Sequence, residues 1–299
     1  MNYRRRVTLR TLVVGLSACG LAASLATAVS LPGSVTTSAG RHVDVGLIRY
    51  QSGTAPNLPA PRPPTTPTTP TTPATPGVTT TPTNGYSFNW SGYVATSSTN
   101  QYFTEVTAGW TVPTLTCTAE DRIDSLWVGL DGWTNSTVEQ DGTSAQCFEG
   151  KAVYYSWYEM YPAGTVEVGT TVHPGDKISA SVTRTGTSYK MSLLDSTTAG
   201  NNISVTKTCA LATCSDTSAE WIVERPEYSS TGIVPLAQFS PITFSGSRAT
   251  GGTITSGAIS QFSATHIEMV DSTDTYNLET TGALNAAGIG WGDSWLNSY

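Results

Sequence analysis

Apolar and polar residues alternate with the two-residue period of β-strands through much of the C-terminal part of the chain. The clearest example is YFTEVTAGWTV, residues 102–112. One face of this run carries Tyr102, Thr104, Val106, Ala108, Trp110 and Val112, and the other carries Phe103, Glu105, Thr107, Gly109 and Thr111. The pattern predicts a half-buried strand with the first face in a core.

Four more runs have the same character: KISASVTRT (177–185), SYKMSLLD (188–195), NISVTKT (202–208) and AEWIVE (219–224). Gly186 separates the first two and predicts a hairpin turn between them. No segment carries a capped helical pattern of three turns. Many short strands separated by Gly, Ser and Asn turns predict an all-β protein, a β-sandwich of two antiparallel sheets.

The run SAEWIVE, residues 218–224, places Glu220 beside Trp221 inside a predicted strand. In one interpretation Glu220 and Glu224 lie on a solvated face while Trp221 points into the core. In the other, Glu220 is a working acid or base. Taken as an isolated segment, the run favours the solvated face.

Residues 1–28 have the features of a secretory signal sequence. Arginines precede the apolar run TLVVGLSACGLAASLATA, whose end at Ala28 is a small-residue cleavage site. A transmembrane anchor is the first alternative. The second is a lipoprotein signal, since LSAC at 16–19 resembles a lipobox with Cys19 as the lipidated residue. We expect a secreted protein without a membrane span, with a lipid-anchored protein of the cell envelope as the alternative.

The residues that follow cannot form much of a core. Residues 29–52 have no convincing periodicity and are predicted to be a pro-segment or disordered. Residues 53–85 form a Pro/Thr-rich linker, with 10 of the 17 prolines between Pro56 and Pro82. As a polyproline II helix this linker would span roughly 90 Å. It would tether the folded domain, predicted at 86–299, or join it to a removable pro-segment.

The predicted domain is strongly acidic. Residues 86–299 contain 8 Lys and Arg against 21 Asp and Glu, which gives a net charge of −13. This charge disfavours nucleic acid as a partner. Few basic groups remain to repel one another once carboxylates are protonated, so we expect tolerance of low pH.

Besides Cys19, the chain has four cysteines, Cys117, Cys147, Cys209 and Cys214. An even number in an exported chain predicts two disulfides. The tight segment CALATC suits a Cys209–Cys214 bond, which leaves Cys117 with Cys147. No C-x-x-C spacing or histidine cluster accompanies them, so we expect no metal.

The common catalytic motifs are absent. His173 and His266 are the only histidines in the predicted domain, and the sequence contains no G-x-S-x-G, H-E-x-x-H or P-loop. Carboxylates, amides and aromatic residues remain. They indicate either carboxylate chemistry or binding without catalysis.

Four ordered blocks combine these groups: NWSGY at 89–93, WVGLDG at 127–132 with QDG at 140–142, WYEMYP at 157–162 and AEWIVE at 219–224. Together they resemble the glutamic peptidases, or eqolisins, from residue 88 to about residue 245. The resemblance implies a sandwich of the concanavalin A or legume-lectin type. It also implies a secreted acid endopeptidase that acts on polypeptides, and we expect a monomer without a cofactor.

Carried over by motif, the catalytic pair of the family is Gln140 and Glu220. Glu139 is a neighbouring alternative, but the family motif places a glycine two residues after the catalytic amide, and Gly142 fixes that register. The resemblance also implies a substrate cleft lined by Trp127, Asp131, Trp157, Glu159 and Tyr161. The alternative for the tryptophans is core packing, and for Glu159 a solvated strand face.

Two departures from the fungal members bear on substrate preference and working pH. Tyr155 stands where those members commonly have an acidic residue, and the loop from Gly132 to Gln140 is one residue shorter. Two other functions fit a lectin-like sandwich. One is a glycoside hydrolase using Glu159 and Glu220, and the other is a carbohydrate-binding module on a Pro/Thr stalk.

Overall fold

The computed structural model describes residues 79–97, 102–169, 171–198, 200–209, 214–228, 232–271, 273 and 276–298, and the short strand segments 34–36, 42–44 and 50–51. The predicted signal sequence, and most of the predicted pro-segment and linker, lie outside the described residues. Residues 34–36 and 42–44 pair as antiparallel strands. No helix in the described part of the chain has the length and apolar character that a membrane crossing needs.

The described residues form strands throughout, with one short 3₁₀ helix at Ile259–Gln261. In chain order the strands are β1 (Ser34–Thr36), β2 (His42–Asp44), β3 (Tyr50–Gln51), β4 (Thr83–Ser87), β5 (Trp90–Thr96), β6 (Phe103–Thr111), β7 (Leu115–Thr116), β8 (Arg122–Leu130), β9 (Val138–Phe148), β10 (Lys151–Tyr161), β11 (Val166–Gly169) and β12 (Lys177–Thr185). They continue with β13 (Ser188–Asp195), β14 (Ile203–Thr208), β15 (Ser218–Glu224), β16 (Glu227–Tyr228), β17 (Gly232–Ile233), β18 (Gln238–Phe239), β19 (Ile242–Gly251), β20 (Ile254–Ala258), β21 (Ser263–Met269), β22 (Glu279–Thr281) and β23 (Trp291–Trp295).

Two large sheets form the body of the protein. Sheet I has the strand order β11-β10-β9-β8-β15-β5-β21-β4. Sheet II has the order β14-β13-β12-β6-β19-β23-β22, with β20 beside β19. Neighbouring strands are antiparallel except for the parallel pair β21 and β4. The predicted all-β sandwich is confirmed. Strand β4 begins at Thr83, three residues before the predicted start of the domain.

The core between the sheets is built from the alternating faces that the sequence predicted. Sheet II contributes Val106, Ala108 and Trp110 of β6, and sheet I contributes Leu126 and Trp221 among others. The Trp221 indole N–H crosses the sandwich and donates to the Thr107 carbonyl at 2.9 Å. Burial of apolar side chains from both sheets supplies the main stabilisation of such a sandwich.

The first two residues of the 102–112 run depart from the predicted alternation. Phe103 is buried and packs against Phe262, whereas Tyr102 is exposed. The reason is tertiary: β6 and β19 pair with register shifts, one of them between Thr250 and Gly251, where Gly251 opposes Phe103. Such a bulge changes which face a residue occupies.

Both predicted disulfides are confirmed. Cys117 is bonded to Cys147, and Cys209 is bonded to Cys214. The first bond joins the segment after β7 to strand β9, and the second closes the connection between β14 and β15. Each therefore restrains a segment that adjoins a strand of sheet I.

Sheet I is buried on its outer face as well. A second apolar cluster, which includes Trp90, Trp127, Trp157 and Ile222, covers this face. Every residue of β15 is buried, including Glu220 and Glu224. The predicted solvated face for these two carboxylates is therefore wrong, because the sequence pattern of one strand does not reveal what covers its polar side.

Candidate active site

The residues of interest lie in one row across the outer face of sheet I. Glu220 of β15 is paired with Gly129 of β8, Gly129 with Gln140 of β9, and Gln140 with Glu159 of β10. Directly opposed residues of antiparallel strands point to the same face. Glu220, Gln140 and Glu159 therefore share that face, and the Cα atoms of Glu220 and Gln140 lie two strand spacings, about 10 Å, apart.

Gly129 leaves the space between Glu220 and Gln140 without a side chain. A Cβ atom built there would lie 3.2 Å from the Gln140 Cβ and 2.9 Å from Cζ3 of Trp127. The row therefore has a gap over the backbone of β8, with a carboxyl on one side and a carboxamide on the other.

Glu220 is a fully buried acid whose carboxyl group interacts with the Ser218 side chain. Neither of its oxygens receives a hydrogen bond of good geometry from the described residues, and its side chain is 0% exposed. Burial raises its pKa well above the ordinary glutamate value, and the charges of Asp131 and Glu139 add to the rise. This environment favours the protonated form of the carboxyl group.

Gln140 is held from the opposite side. Its Nε2 donates to Oε2 of Glu159 at 2.6 Å, and the Thr165 hydroxyl donates to the other Glu159 oxygen at 3.1 Å. The Gln140 Oε1 atom has no partner among the described residues. One N–H and the carbonyl oxygen of this amide are thus left for other groups.

Trp127 and Trp157 lie in the adjacent row of the same face, on either side of Gly142. The Trp127 indole N–H donates to Oε2 of Glu224 at 2.7 Å, and its ring packs edge-on against Trp90. Tyr161 packs against the same cluster. The structure thus brings four of the five residues predicted to line the cleft, Trp127, Trp157, Glu159 and Tyr161, onto the face that carries Gln140 and Glu220.

Asp131 lies outside the row, just beyond the end of β8, with a φ of 67°. Its carboxylate accepts hydrogen bonds from the backbone N–H groups of Ser215, Asp216 and Thr217 at 2.7 to 2.8 Å, and from the Asn135 side chain. These donors occupy both oxygens. The carboxylate therefore organises the segment that leads into β15, and substrate contact by Asp131 stays a prediction.

Glu139 faces away from the row. It is paired with Leu130, whose side chain lies in the core between the sheets. One of its oxygens lies 2.8 Å from the Cys214 sulfur, and burial raises its pKa to about 9, with the charges of Asp131 and Asp216 contributing. Strand register thus puts Gln140, and not Glu139, on the same face as Glu220.

Carboxylate oxygens of Asp131, Glu139 and Asp216 lie within 4.8 Å of one another, a spacing that could suit a metal ion. The donor set does not fit one, because Asp131 already accepts backbone N–H groups. Asp216 accepts from the Tyr189 hydroxyl at 2.6 Å and pairs with Arg184 at 3.0 Å. We interpret this cluster as a hydrogen-bonded network of the fold.

Cavities of different size border sheet I in the described residues. A small one at the row is lined by Ser125, Gln140, Trp157, Glu159, Thr165, Glu224 and Pro226. A larger one, of about 430 Å³, lies by the β21 and β4 edge of the sheet and is lined by Asn84, Tyr93, His266 and Leu284 among others. The larger cavity contains none of the row residues. The smaller one is lined by Gln140 and Glu159 of the row and not by Glu220 or Gly129, so we place the candidate site beside it.

Sequence reasoning missed three contributors to this site. Glu224 lies on the same face of β15 as Glu220. It would have been predicted as a site residue if that face had been known to be buried. Gly129 lies inside the WVGLDG block, but only strand pairing shows that it separates the two polar residues. Thr165 comes from the connection between β10 and β11, and no pattern in the sequence marks it.

Comparison with known proteins gives consistent results. A sequence profile of the Peptidase A4 family matches residues 88–287. Aspergillopepsin-2 of Aspergillus niger is 30% identical over 199 residues, which cover 59% of this chain and 69% of that protein.

Solved structures share the fold. Scytalido-glutamic peptidase, solved with a transition state analog inhibitor, matches with a TM-score of 0.58 at 26% identity, over 70% of this chain and 98% of that chain. SCP-B, a member of the eqolisin family of peptidases solved with the tripeptide Ala-Ile-His, matches with a TM-score of 0.55 at 24% identity, with the same coverage of 70% and 98%. At that identity the second likeness concerns the fold alone. All residues of the row lie inside the region matched by the family profile.

Proposed function

Because the chain belongs to the Peptidase A4 family and is a glutamic-type peptidase, we propose that it is a secreted acid endopeptidase in which Glu220 and Gln140 form the hydrolytic pair. The observation that carries the proposal is the in-register row of Glu220, Gly129 and Gln140. It sets a buried carboxyl opposite a carboxamide, across a strand position that carries no side chain of its own and is bordered by the Trp127 ring.

The groups on the two sides of the gap are those that peptide hydrolysis requires. A water over Gly129 is within reach of the Glu220 carboxylate, which takes a proton as the water oxygen attacks the scissile carbonyl carbon. The free N–H of Gln140 donates to the carbonyl oxygen as it becomes an oxyanion. Glu220 then returns the proton to the amide nitrogen, the C–N bond breaks, and the carboxylate is regenerated with a carboxylic acid and an amine as products.

Glu220 must be ionised for the first step. In the buried state its pKa is raised, and hydrogen bonds donated by water and by a substrate amide would lower it again, because they favour the charged form. Substrate entry therefore activates the base. A polypeptide lying across the row would contact Trp127 and Trp157, and we propose these aromatic side chains as its apolar support.

Secretion is proposed from the signal-like residues 1–28 and from the two disulfides, which are typical of exported proteins. Tyr155 is buried in the apolar cluster beside the row, so the departure from the fungal pattern lies at the candidate cleft and bears on substrate preference. Because the chain is a glutamic-type peptidase, the glycoside hydrolase and carbohydrate-binding alternatives are set aside.

The test is cleavage of a denatured protein by the full-length chain from pH 2 to 8, compared with Glu220→Gln and Gln140→Ala. We expect activity in acid that resists pepstatin and a chelator. Loss of the Gln140 donor should lower kcat by about 10² to 10³, and Glu220→Gln should lower it by about 10² to 10⁴, the range for loss of a general base. A folded Glu220→Gln variant that cleaves at the wild-type rate would overturn the assignment of Glu220 to the hydrolytic pair.

A further inference from the structure

Glu159 was predicted from the family resemblance to contact substrate, but its hydrogen bonds to Gln140 and Thr165 point elsewhere. Both of its carboxylate oxygens already accept hydrogen bonds from the protein, one from Gln140 and one from Thr165. The side chain is buried in the row and is only 1% exposed. The two carboxylate oxygens of Glu159 therefore face the candidate catalytic amide and the connection between β10 and β11.

The orientation of the Gln140 amide decides whether it can act. A carboxamide has a donor end, the NH₂ group, and an acceptor end, the carbonyl oxygen. Only the donor end can stabilise an oxyanion. Rotation of the amide by a half turn about its last side-chain bond would exchange the two ends at little steric cost.

An ionised carboxylate can only accept hydrogen bonds, so it selects the NH₂ end of a neighbouring amide. Glu159 lies directly opposite Gln140 on the next strand, and its Oε2 accepts from the Gln140 Nε2 at 2.6 Å. With one N–H bound to Glu159, the second N–H and Oε1 remain for the gap over Gly129. The opposite orientation would set the amide oxygen against a carboxylate.

Thr165 fixes the carboxylate in turn. It comes from the segment between Tyr161 and Val166, the ends of β10 and β11, and its hydroxyl donates to Oε1 of Glu159 at 3.1 Å. Its donation leaves Oε2 facing Gln140. The order Thr165, Glu159, Gln140 runs from the sheet edge toward the gap.

From this arrangement we infer that Glu159 is a positioning residue, which with Thr165 holds the donor end of the Gln140 amide toward the scissile carbonyl. The inference rests on the proposed roles of Gln140 and Glu220. In this role Glu159 acts through Gln140 and not on the substrate.

A double-mutant cycle in the full-length enzyme tests this, with Glu159→Gln, Gln140→Ala and the pair, assayed on a fluorogenic peptide. Glu159→Gln keeps the shape but can donate or accept, so it no longer selects one amide orientation. We expect kcat to fall about 10-fold or more, bounded by the loss of one oxyanion donor, with KM within twofold. In the Gln140→Ala background, Glu159→Gln should change kcat by less than twofold, because its route of action is gone.

The outcomes separate this inference from the proposed function. If Glu159→Gln leaves kcat unchanged, raises KM instead, or lowers kcat by the same factor in the Gln140→Ala background, the positioning role is overturned while the hydrolytic pair stands. If Gln140→Ala and Glu220→Gln both retain wild-type rates, the proposed function itself fails. Glu120→Gln, at an exposed surface carboxylate, serves as the matched control and should behave as wild type.

Thr165→Val provides an independent arm that changes no charge, and it decides the question if Glu159→Gln does not fold. Loss of this one hydrogen bond to the Glu159 carboxylate should lower kcat by about 3- to 10-fold. This effect should also vanish in the Gln140→Ala background. Wild-type kinetics of a folded Thr165→Val variant would contradict the positioning of Gln140 by Thr165 and Glu159.

Discussion

At the scale of single residues, the site depends as much on an absent side chain as on those present. Gly129 opposes both Glu220 and Gln140, and its φ is not in the left-handed region, so the backbone there would accept any residue. The need for glycine is therefore one of space. A methyl group would enter the gap in which the proposed water lies.

Gly129→Ala should consequently impair catalysis more than folding. The added Cβ would approach Trp127 Cζ3 at 2.9 Å and Gln140 Cβ at 3.2 Å. Such crowding typically costs about 1 to 3 kcal/mol of stability. We expect kcat/KM to fall by about 10² or more, since misplacement of reacting groups by about 1 Å can have that effect.

The measurement is kcat/KM on a peptide substrate beside the midpoint of urea unfolding. Gly164→Ala is the matched control, because a Cβ atom at that position has no neighbour within 4 Å. Equal activity of the two variants would show that the gap over Gly129 is not used.

At the scale of elements, β15 is positioned by the segment that precedes it. Residues 215–217 direct three backbone N–H groups at the Asp131 carboxylate, and the Asp131 N–H donates to the Ser218 carbonyl at 3.1 Å. This exchange joins the end of β8 to the start of β15, two residues before Glu220. The buried carboxylate substitutes for strand pairing where the ladder ends.

Asp131→Asn should therefore weaken both the fold and the site. One oxygen becomes an NH₂ group that faces N–H donors, which loses charge-assisted hydrogen bonds worth about 2 to 3 kcal/mol. We expect the free energy of unfolding at pH 6 to drop by that amount, and kcat to drop because the start of β15 shifts. Asp121→Asn, at an exposed residue, is the control. An Asp131→Asn variant as stable as this control would contradict the anchoring role.

At the scale of the whole molecule, the sandwich contains buried carboxyls that the proposed chemistry does not use. Asp293 of sheet II accepts from the Ser91 hydroxyl of sheet I at 3.1 Å. Burial raises its pKa to about 8. Asp124 and Glu279 are also fully buried, and burial raises the pKa of each well above its ordinary value, with the charge of Asp293 contributing to both.

These groups predict a fold that is most stable in acid. Each carboxyl binds its proton more tightly in the folded than in the unfolded chain, where its pKa is about 4. The contribution of these carboxyls to the free energy of unfolding is thus greatest below about pH 4 and falls as the pH rises toward the folded value, about 8 for Asp293. Each such group contributes a slope of up to about 1.4 kcal/mol per pH unit within that window.

Thermal unfolding from pH 3 to 8 measures this effect. We expect Tm to fall steadily above pH 4 in the wild type and less steeply in Asp293→Asn, which cannot ionise. Asp121→Asn, whose carboxylate is exposed, should leave the slope unchanged. A Tm that rises between pH 4 and 8, or equal slopes in wild type and Asp293→Asn, would contradict the role of the buried carboxyls. The low content of basic residues favours acid tolerance by a second route, since few positive charges remain to repel one another.

Sequence patterns alone predicted several of the strands, both disulfides and the family. Alternation located β12, β13 and β15 to within a residue of their observed ends, because a strand with one face in a core repeats every two residues. Cysteine spacing identified both bonds, and four ordered blocks indicated a glutamic peptidase.

The positions of the polar residues relative to one another required the three-dimensional fold. Whether Glu220 faces water or a covered gap depends on the outer cluster over sheet I, and the opposition of Glu220, Gly129, Gln140 and Glu159 depends on strand register. Asp131 and Thr165 acquire their partners from segments distant in sequence or outside any repeating pattern. The physical reason is that a period of two fixes the two faces of one strand. It does not specify which strands become neighbours, in what register they pair, or what packs on the second face of the sheet.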